Sequence, residues 1–310
     1  MSALLALILA GSLAAGGACP EFPLDPTLVV PDGASVVLGV DVDSFAQTST
    51  GKALLPALAT DLQVAEALEV LGGCGLALER VYALVLARDP GDGRMLAVQA
   101  RSLGEPATIA CLAGKLAARN QGVEPWVREP TACFDSLALA DGSRIWIPNI
   151  YTLVWTRGSF VEPVAARMTG ATPLGLPLGL AAEFDRLDRS RHLWLAAVLS
   201  ADDRRTLPGV WAREAESLTA AVSLADGVHA ELSLGASKAE ALANTRSRLL
   251  MSFAALSDRL DAHGVEHRLR ERARVGIVDG VVAAQVELDE GELRAIRRQI
   301  GEHVSGRGPL

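Results

Sequence analysis

His263, Glu266 and His267 stand in the H-x-x-E-H order of certain zinc peptidases, where two imidazoles hold the metal and the glutamate acts as general base. That chemistry needs both imidazoles on one face of a helix. Gly264 falls between them, where a long amphipathic segment should end. Glu266, His267, Leu269 and Glu271 then read as the following strand, so the three side chains are expected to part. A second constellation is Asp41 and Asp43, closing the apolar run Val36 to Val40. Phosphatases of the haloacid dehalogenase type place a nucleophilic carboxylate and a general acid two residues apart in this way, and Asp202 with Asp203 could supply their magnesium site. No lysine occurs from 116 to 237 to hold the phosphoryl group, and that family needs a parallel sheet. Asp43 and Ser44 read instead as the cap of the next helix.

Other motifs are incomplete. Gly51-Lys52 has Ala46 where a phosphate loop needs glycine, no serine sits in a G-x-S-x-G elbow, and His192, His229 and His303 lack partners at ligand spacing. The sequence therefore assigns no catalytic, cofactor-binding or metal residue. Two enzyme alternatives stand beside that assignment: a metal-dependent phosphatase using Asp41 and Asp43, and a zinc peptidase using His263, Glu266 and His267.

The four cysteines carry the remaining chemistry. Residues 1–18 have the length of a secretory apolar region ending in small residues, with Gly17 and Ala18 before Cys19 as in a bacterial lipoprotein signal. Cys19 is the candidate lipidation site, which would attach the chain to a membrane. If it is modified, Cys74, Cys111 and Cys133 allow one bridge and leave one thiol. Cys74 follows the first long helix and Cys111 lies in the second turn of the next, which brings both to one end of a strand, helix, hairpin, helix unit. Cys74 to Cys111 is the expected disulfide, with Cys111 to Cys133 as its substitute.

Composition sets the frame. The 310 residues are 50% apolar and 4% aromatic, with net charge −8 and mean hydropathy +0.26. Residues 1–150 hold 9 Lys and Arg against 16 Asp and Glu, and the rest hold 20 against 21, so nucleic acid is not an expected partner. Arg268, Arg270, Arg272 and Arg274 alternate with other residues and read as the wet face of a strand. No apolar run of membrane-spanning length follows the first fifteen positions.

The elements that must position these residues are legible from turns and periodicity. Asp-Gly pairs at 92, 141, 226 and 279 lie between β-rich runs and predict antiparallel hairpins. Apolar stripes predict helices over 50–71, 106–121, 238–263 and 290–304, the last opened by Asp289 and Glu292 in capping-box spacing. The order of elements repeats, and the separations 141 − 92 = 49 and 279 − 226 = 53 suggest a duplication. The expected organisation is a signal peptide over 1–18, a Pro-rich tether over 19–31, a first α+β unit over 32–168, a linker over 169–180, a second unit over 181–304 and a tail over 305–310. Each unit is expected to be a ferredoxin-like, split βαβ fold: an antiparallel sheet with helices on one face.

The opening Val-Val-Leu-Gly-Val-Asp-Val-Asp-Ser-Phe at 36–45 and the run Arg-His-Leu-Trp-Leu-Ala-Ala at 191–197 resemble exported proteins of GC-rich bacteria with a duplicated α+β unit. That resemblance implies a cell-envelope location and brings no activity with it. The expected function is non-catalytic binding or scaffolding in the envelope, with an envelope protein or ligand as partner.

Overall fold

The computed structural model describes residues 21–22, 25–58, 69–131, 133–207, 210–262, 264 and 267–295. β1 (Val36–Asp41) leads through helices α1 (Val42–Gln47) and α2 (Ser49–Leu58), and then a helical turn at 69–73, to the hairpin of β2 (Val81–Arg88) and β3 (Arg94–Ala100). Next come α3 (Pro106–Arg119), β4 (Trp126–Pro130), β5 (Asp135–Leu139), β6 (Arg144–Asn149), β7 (Thr152–Arg157), α4 (Val161–Met168) and α5 (Ala181–Asp185). The second half runs β8 (Leu193–Val198), α6 (Ala201–Thr206), β9 (Ser217–Ser223), β10 (Gly227–Gly235), α7 (Ala239–Ala262), α8 (Leu269–Arg272), β11 (Arg274–Val278) and β12 (Val281–Asp289).

All twelve strands belong to one open antiparallel sheet in the order β11-β12-β10-β9-β8-β1-β2-β3-β7-β6-β5-β4. This overturns the expectation of two separate ferredoxin-like units. β1 and β8 pair at the centre, with Val37 opposite Ala196 on one side and Ala87 on the other. Each of these strands is apolar on both faces, so as the exposed edge of its own small sheet it would offer unpaired backbone groups. Pairing the two edges removes both.

The order of elements does repeat across this junction, since β7 returns beside β3 as β12 does beside β10. β4 and β5 are extra in the first half. The Asp141-Gly142 turn therefore joins β5 to β6 and has no counterpart in the turn at Asp279-Gly280, which joins β11 to β12.

One face of the sheet, bearing Val37, Val85, Met95, Trp146, Val154 and Trp194, is covered by Val29 and Val30 and by Phe160, Val164, Leu180 and Phe184 around α4 and α5. The described part of the expected tether is thus folded into the core. The expected linker is too: Leu174 and Leu176 pack on the same cluster, and the Gly175 N–H donates to the Leu28 carbonyl at 3.0 Å. Arg167, only 4% exposed, joins these segments by donating to the Leu28 carbonyl at 3.0 Å and to Asp32 at 2.7 Å. Gly and Pro permit close packing of irregular backbone as readily as they permit a linker.

The opposite face carries two clusters. α7 sits over Leu218, Leu234 and Val282, while α3 and the turn at 69–73 sit over Val81, Ala100 and neighbours. Local signals operate as the chain dictates: Pro106 opens α3, and Gly122 at φ +86° follows its end. Asp289 and Glu292 exchange backbone-to-carboxylate bonds, each 2.9 Å. The expected strand at Arg268 to Arg274 is instead the helical turn α8 followed by β11. Arg268 and Arg272 both reach Asp289, so the arginine spacing serves a cap rather than a sheet face. Residues 1–20, the middle of the helix expected over 50–71, and 296–310 with the tail lie outside the described residues.

Candidate functional site

Of the carboxylates nominated by the sequence, Asp41 and Asp203 are occupied in helix capping, and Asp202 pairs with Arg205. Asp41 accepts the Ser44 N–H at 3.1 Å and is itself the cap of α1, so the cap is Asp41 and not Asp43 with Ser44. Asp43 accepts from the Gln47 amide at 3.2 Å. Asp203 closes a capping box with Ser200 and pairs with Arg88. Burial, the largest single influence, pushes the Asp203 carboxyl upward, but the bonds from Ser200 and Arg88 together hold it below its ordinary value. In the β1–β8 register Val40 faces Leu193 and Val36 faces Ala197, so Asp41 and the Asp202–Asp203 pair emerge at opposite ends of the strands. Five residues of strand separate them, roughly 17 Å. The phosphatase set is not brought together.

His267 is 3% exposed in its side chain. Its Nδ1 accepts the Leu269 N–H at 3.1 Å, which places the proton on Nε2, facing the Ser257 carbonyl and Asp261, each at 3.2 Å. Both ring nitrogens are used, which leaves no lone pair for zinc. His263 and Glu266 lie outside the described residues. No cluster of three metal-ligating side chains exists among the described residues. His192 accepts the Leu224 N–H at 3.0 Å, and His229 lies between Glu231 and Glu287.

Cys74 and Cys111 are joined by a disulfide, with Cα atoms 5.7 Å apart and a sequence separation of 37. Cys133 is also disulfide-bonded, so the expected leftover thiol is absent among the described residues. Lipidation of Cys19 concerns a position outside them.

What the structure does assemble is apolar. A cavity of about 460 Å³ opens between α3 and the sheet. Its roof is Val70 and Leu71 of the turn at 69–73 with Ile109, Leu112 and Leu116 of α3, and its floor is Trp126, Leu137, Ile145 and Leu153 from β4, β5, β6 and β7. The roof follows from helix periodicity, since Ile109, Leu112 and Leu116 are spaced three and four apart. The Cys74–Cys111 bond ties the two roof segments, with Cys74 three residues past Leu71 and Cys111 between Ile109 and Leu112. Arg119 is the one charged side chain among the described lining residues, and its guanidinium pairs with Glu69 at 2.7 Å on the exposed rim.

The floor extends beyond the cavity. Cross-strand partners share a face, and the registers align Leu137, Ile145, Trp155, Leu96, Leu86, Leu38 and Leu195 in one row across seven strands. Leu86, the fifth residue of that row, is 42% exposed. Alongside it on the same face Arg88, Arg94 and Arg157 are cross-strand neighbours, with Asp203, Asp89 and Asp141 respectively beside them, so this second row is charge-balanced.

The arrangement can exclude water from hydrocarbon. Among the described lining residues there is no carboxylate, imidazole, hydroxyl or thiol. The α3 stripe was visible in the sequence, but the row is assembled by register between strands as far apart as Leu38 and Leu195, and which strand pairs with which is not written locally.

No family model matches the chain, and no curated protein matches it. A solved structure, crystal form IV of TP0453, is similar to it at 11% identity with a TM-score of 0.49, covering 89% of this chain and 97% of that one. A likeness at this level carries no argument about function.

Proposed function

We propose that this protein is an exported, non-catalytic binding module of the cell envelope that takes an apolar ligand into the cavity beneath α3. The observation that carries this reading is the continuity between a 460 Å³ apolar cavity and a partly exposed apolar row on the same sheet face. Cavities of this size fall in the range of small-molecule sites, and the row beside it leaves Leu86 exposed with Leu38, Leu96 and Trp155 half-buried. Disulfides at Cys74–Cys111 and at Cys133 favour an oxidising compartment, in keeping with the secretory pattern over 1–18. No helix among the described residues is long and apolar enough to cross a membrane.

The test is binding of 8-anilinonaphthalene-1-sulfonate to the mature chain. The expected result is saturable fluorescence enhancement at one site, abolished in Leu116→Arg, which places a charge at the half-buried cavity wall, while circular dichroism stays unchanged. Enhancement that persists in a folded Leu116→Arg chain contradicts the assignment.

A further inference from the structure

We infer that a second cavity, on the opposite face of the sheet from α3, binds a small organic monocation: a primary amine with a hydroxyl on the neighbouring carbon. The cavity holds about 300 Å³ over the end of β1, and Gly39 and Ala83 lie in its lining beside Asp41, Trp194, Asp25 and Arg189. Its volume is at the lower end of small-molecule sites. The space exists because Gly39 carries no side chain. A Cβ there would stand 2.0 Å from the Trp194 ring and 2.5 Å from its nitrogen, so the indole lies across β1 instead.

Two polar groups in this lining lack partners. Trp194 is 7% exposed and packs edge-on against Phe184, with ring centroids 5.8 Å apart. Its indole nitrogen can only donate, and it finds no acceptor among the described residues. A buried indole N–H usually has one. Trp194 stands opposite Gly39 in the β1–β8 register, and Asp41, two residues further along β1, shares that face at a diagonal separation of about 7–8 Å. Its Oδ1 accepts the Ser44 N–H at 3.1 Å, while its Oδ2 accepts from no described residue.

Charge decides what fits. Arg189 donates to Asp25 at 2.7 Å and to Thr27 at 3.0 Å, and lies over the Phe184 ring at 5.5 Å from its centroid. That pair cancels within the described lining and leaves the Asp41 carboxylate as its net charge. An ammonium answers Asp41, and a hydroxyl oxygen next to it answers the Trp194 N–H. A carboxylate ligand would meet Asp41 as a like charge. A hydrocarbon would seal an unpaired donor and an unpaired carboxylate oxygen away from water, which opposes binding.

This site lies on the other face from the α3 cavity, so its test is separate from the dye experiment. The full mature chain is titrated calorimetrically with glucosamine, glucose and cyclohexylamine at a pH where the amines are protonated; glucose lacks the ammonium and cyclohexylamine lacks the hydroxyl. Glucosamine is expected to bind at one site, and the other two at least about tenfold more weakly. Asp41→Asn retains the cap of α1, because Asn caps a helix as well as Asp does, and is expected to weaken glucosamine about tenfold or more, the size of a charged hydrogen bond. Trp194→Phe keeps a ring against Phe184 and is expected to weaken glucosamine about fivefold while leaving cyclohexylamine unchanged. Glucosamine that binds no better than glucose or cyclohexylamine, that binds folded Asp41→Asn as it binds the parent chain, or that shows no saturable binding overturns the inference.

Discussion

The two halves of the sheet carry the same sequence of elements on one face and yet bury it to different extents. In the second half, which has five strands, α7 has 24 residues and packs against β10, β11 and β12. In the first, which has seven strands, α3 has 14 residues and faces β4, β5, β6 and β7 across the cavity. At 1.5 Å per residue the helices are roughly 36 and 21 Å long, and at about 4.8 Å per strand the floors are roughly 19 and 29 Å wide. A long helix over a narrow floor closes it, leaving Leu234 and Val282 without exposure and Leu249 at 4%. A short helix over a floor widened by β4 and β5 leaves a gap, and the Cys74–Cys111 bond anchors the roof beside it. The difference teaches that a long helix closes one half of the face, whereas a helix ten residues shorter, over a half widened by an inserted hairpin, leaves a site.

The largest expected effect comes from removing the anchor. Replacing Cys74 and Cys111 together by alanine releases a 37-residue separation and is expected to cost about 3 to 4 kcal/mol in the chain-entropy picture. Denaturant unfolding of the double variant measures it. A loss below about 1 kcal/mol would mean that the roof is held by packing alone, as α7 is.

Next is a paired truncation that compares the two halves directly. Leu249→Ala under α7 empties a closed core and is expected to cost about 3 kcal/mol, whereas Leu116→Ala beside existing free space is expected to cost about 1 kcal/mol. Equal losses in thermal unfolding would show that the first half is packed as tightly as the second.

The smallest effect concerns the Arg88–Asp203 pair, which links the halves across β2 and α6. The Asp203 pKa is lower in the folded chain than in the unfolded one, so its contribution is present above the ordinary carboxylate range near 4 and is lost as the pH falls through the folded value. Asp203→Ala is expected to cost about 1 kcal/mol at pH 7 through the lost cap and pair. That difference should shrink below pH 4, where protonation removes the same bonds from the parent chain. A difference independent of pH would assign the loss to packing.

How much of this was legible in the sequence follows from the range of each interaction. The Asp-Gly turns at 92 and 226, the α3 stripe and the Asp289–Glu292 cap are written within a few residues of one another and formed where the sequence placed them. The merging of the halves depends on β1 finding β8, some 157 residues away in the register of Leu38 with Leu195. A signal for it did exist. Val36, Val37 and Leu38, like Leu193 to Val198, are apolar at both parities, which is the pattern of a strand covered on both faces and flanked on both sides. The agreement of the Asp-Gly spacings misled because β4 and β5 lengthen the first half while α7, ten residues longer than α3, lengthens the second.

At the candidate site the balance is similar. Ile109, Leu112 and Leu116 announced a face to be buried, but that the burial is incomplete depends on the width of the floor, a property of the whole sheet. The polar motifs misdirected for the converse reason. Asp41, Asp203 and His267 are short-range capping and turn-stabilising residues whose spacing coincides with catalytic patterns, and only their bonded partners distinguish the two.

The most direct test of the difference between the halves is methyl-resolved NMR of the Ile, Leu and Val side chains during titration with 8-anilinonaphthalene-1-sulfonate. The account predicts shifts at Ile109, Leu112, Leu116, Ile145 and Leu153, spreading to Leu96 and Leu86, with Leu234, Leu249 and Val282 unmoved. Shifts centred on the methyls beneath α7, or none beneath α3 at saturating ligand, would contradict it.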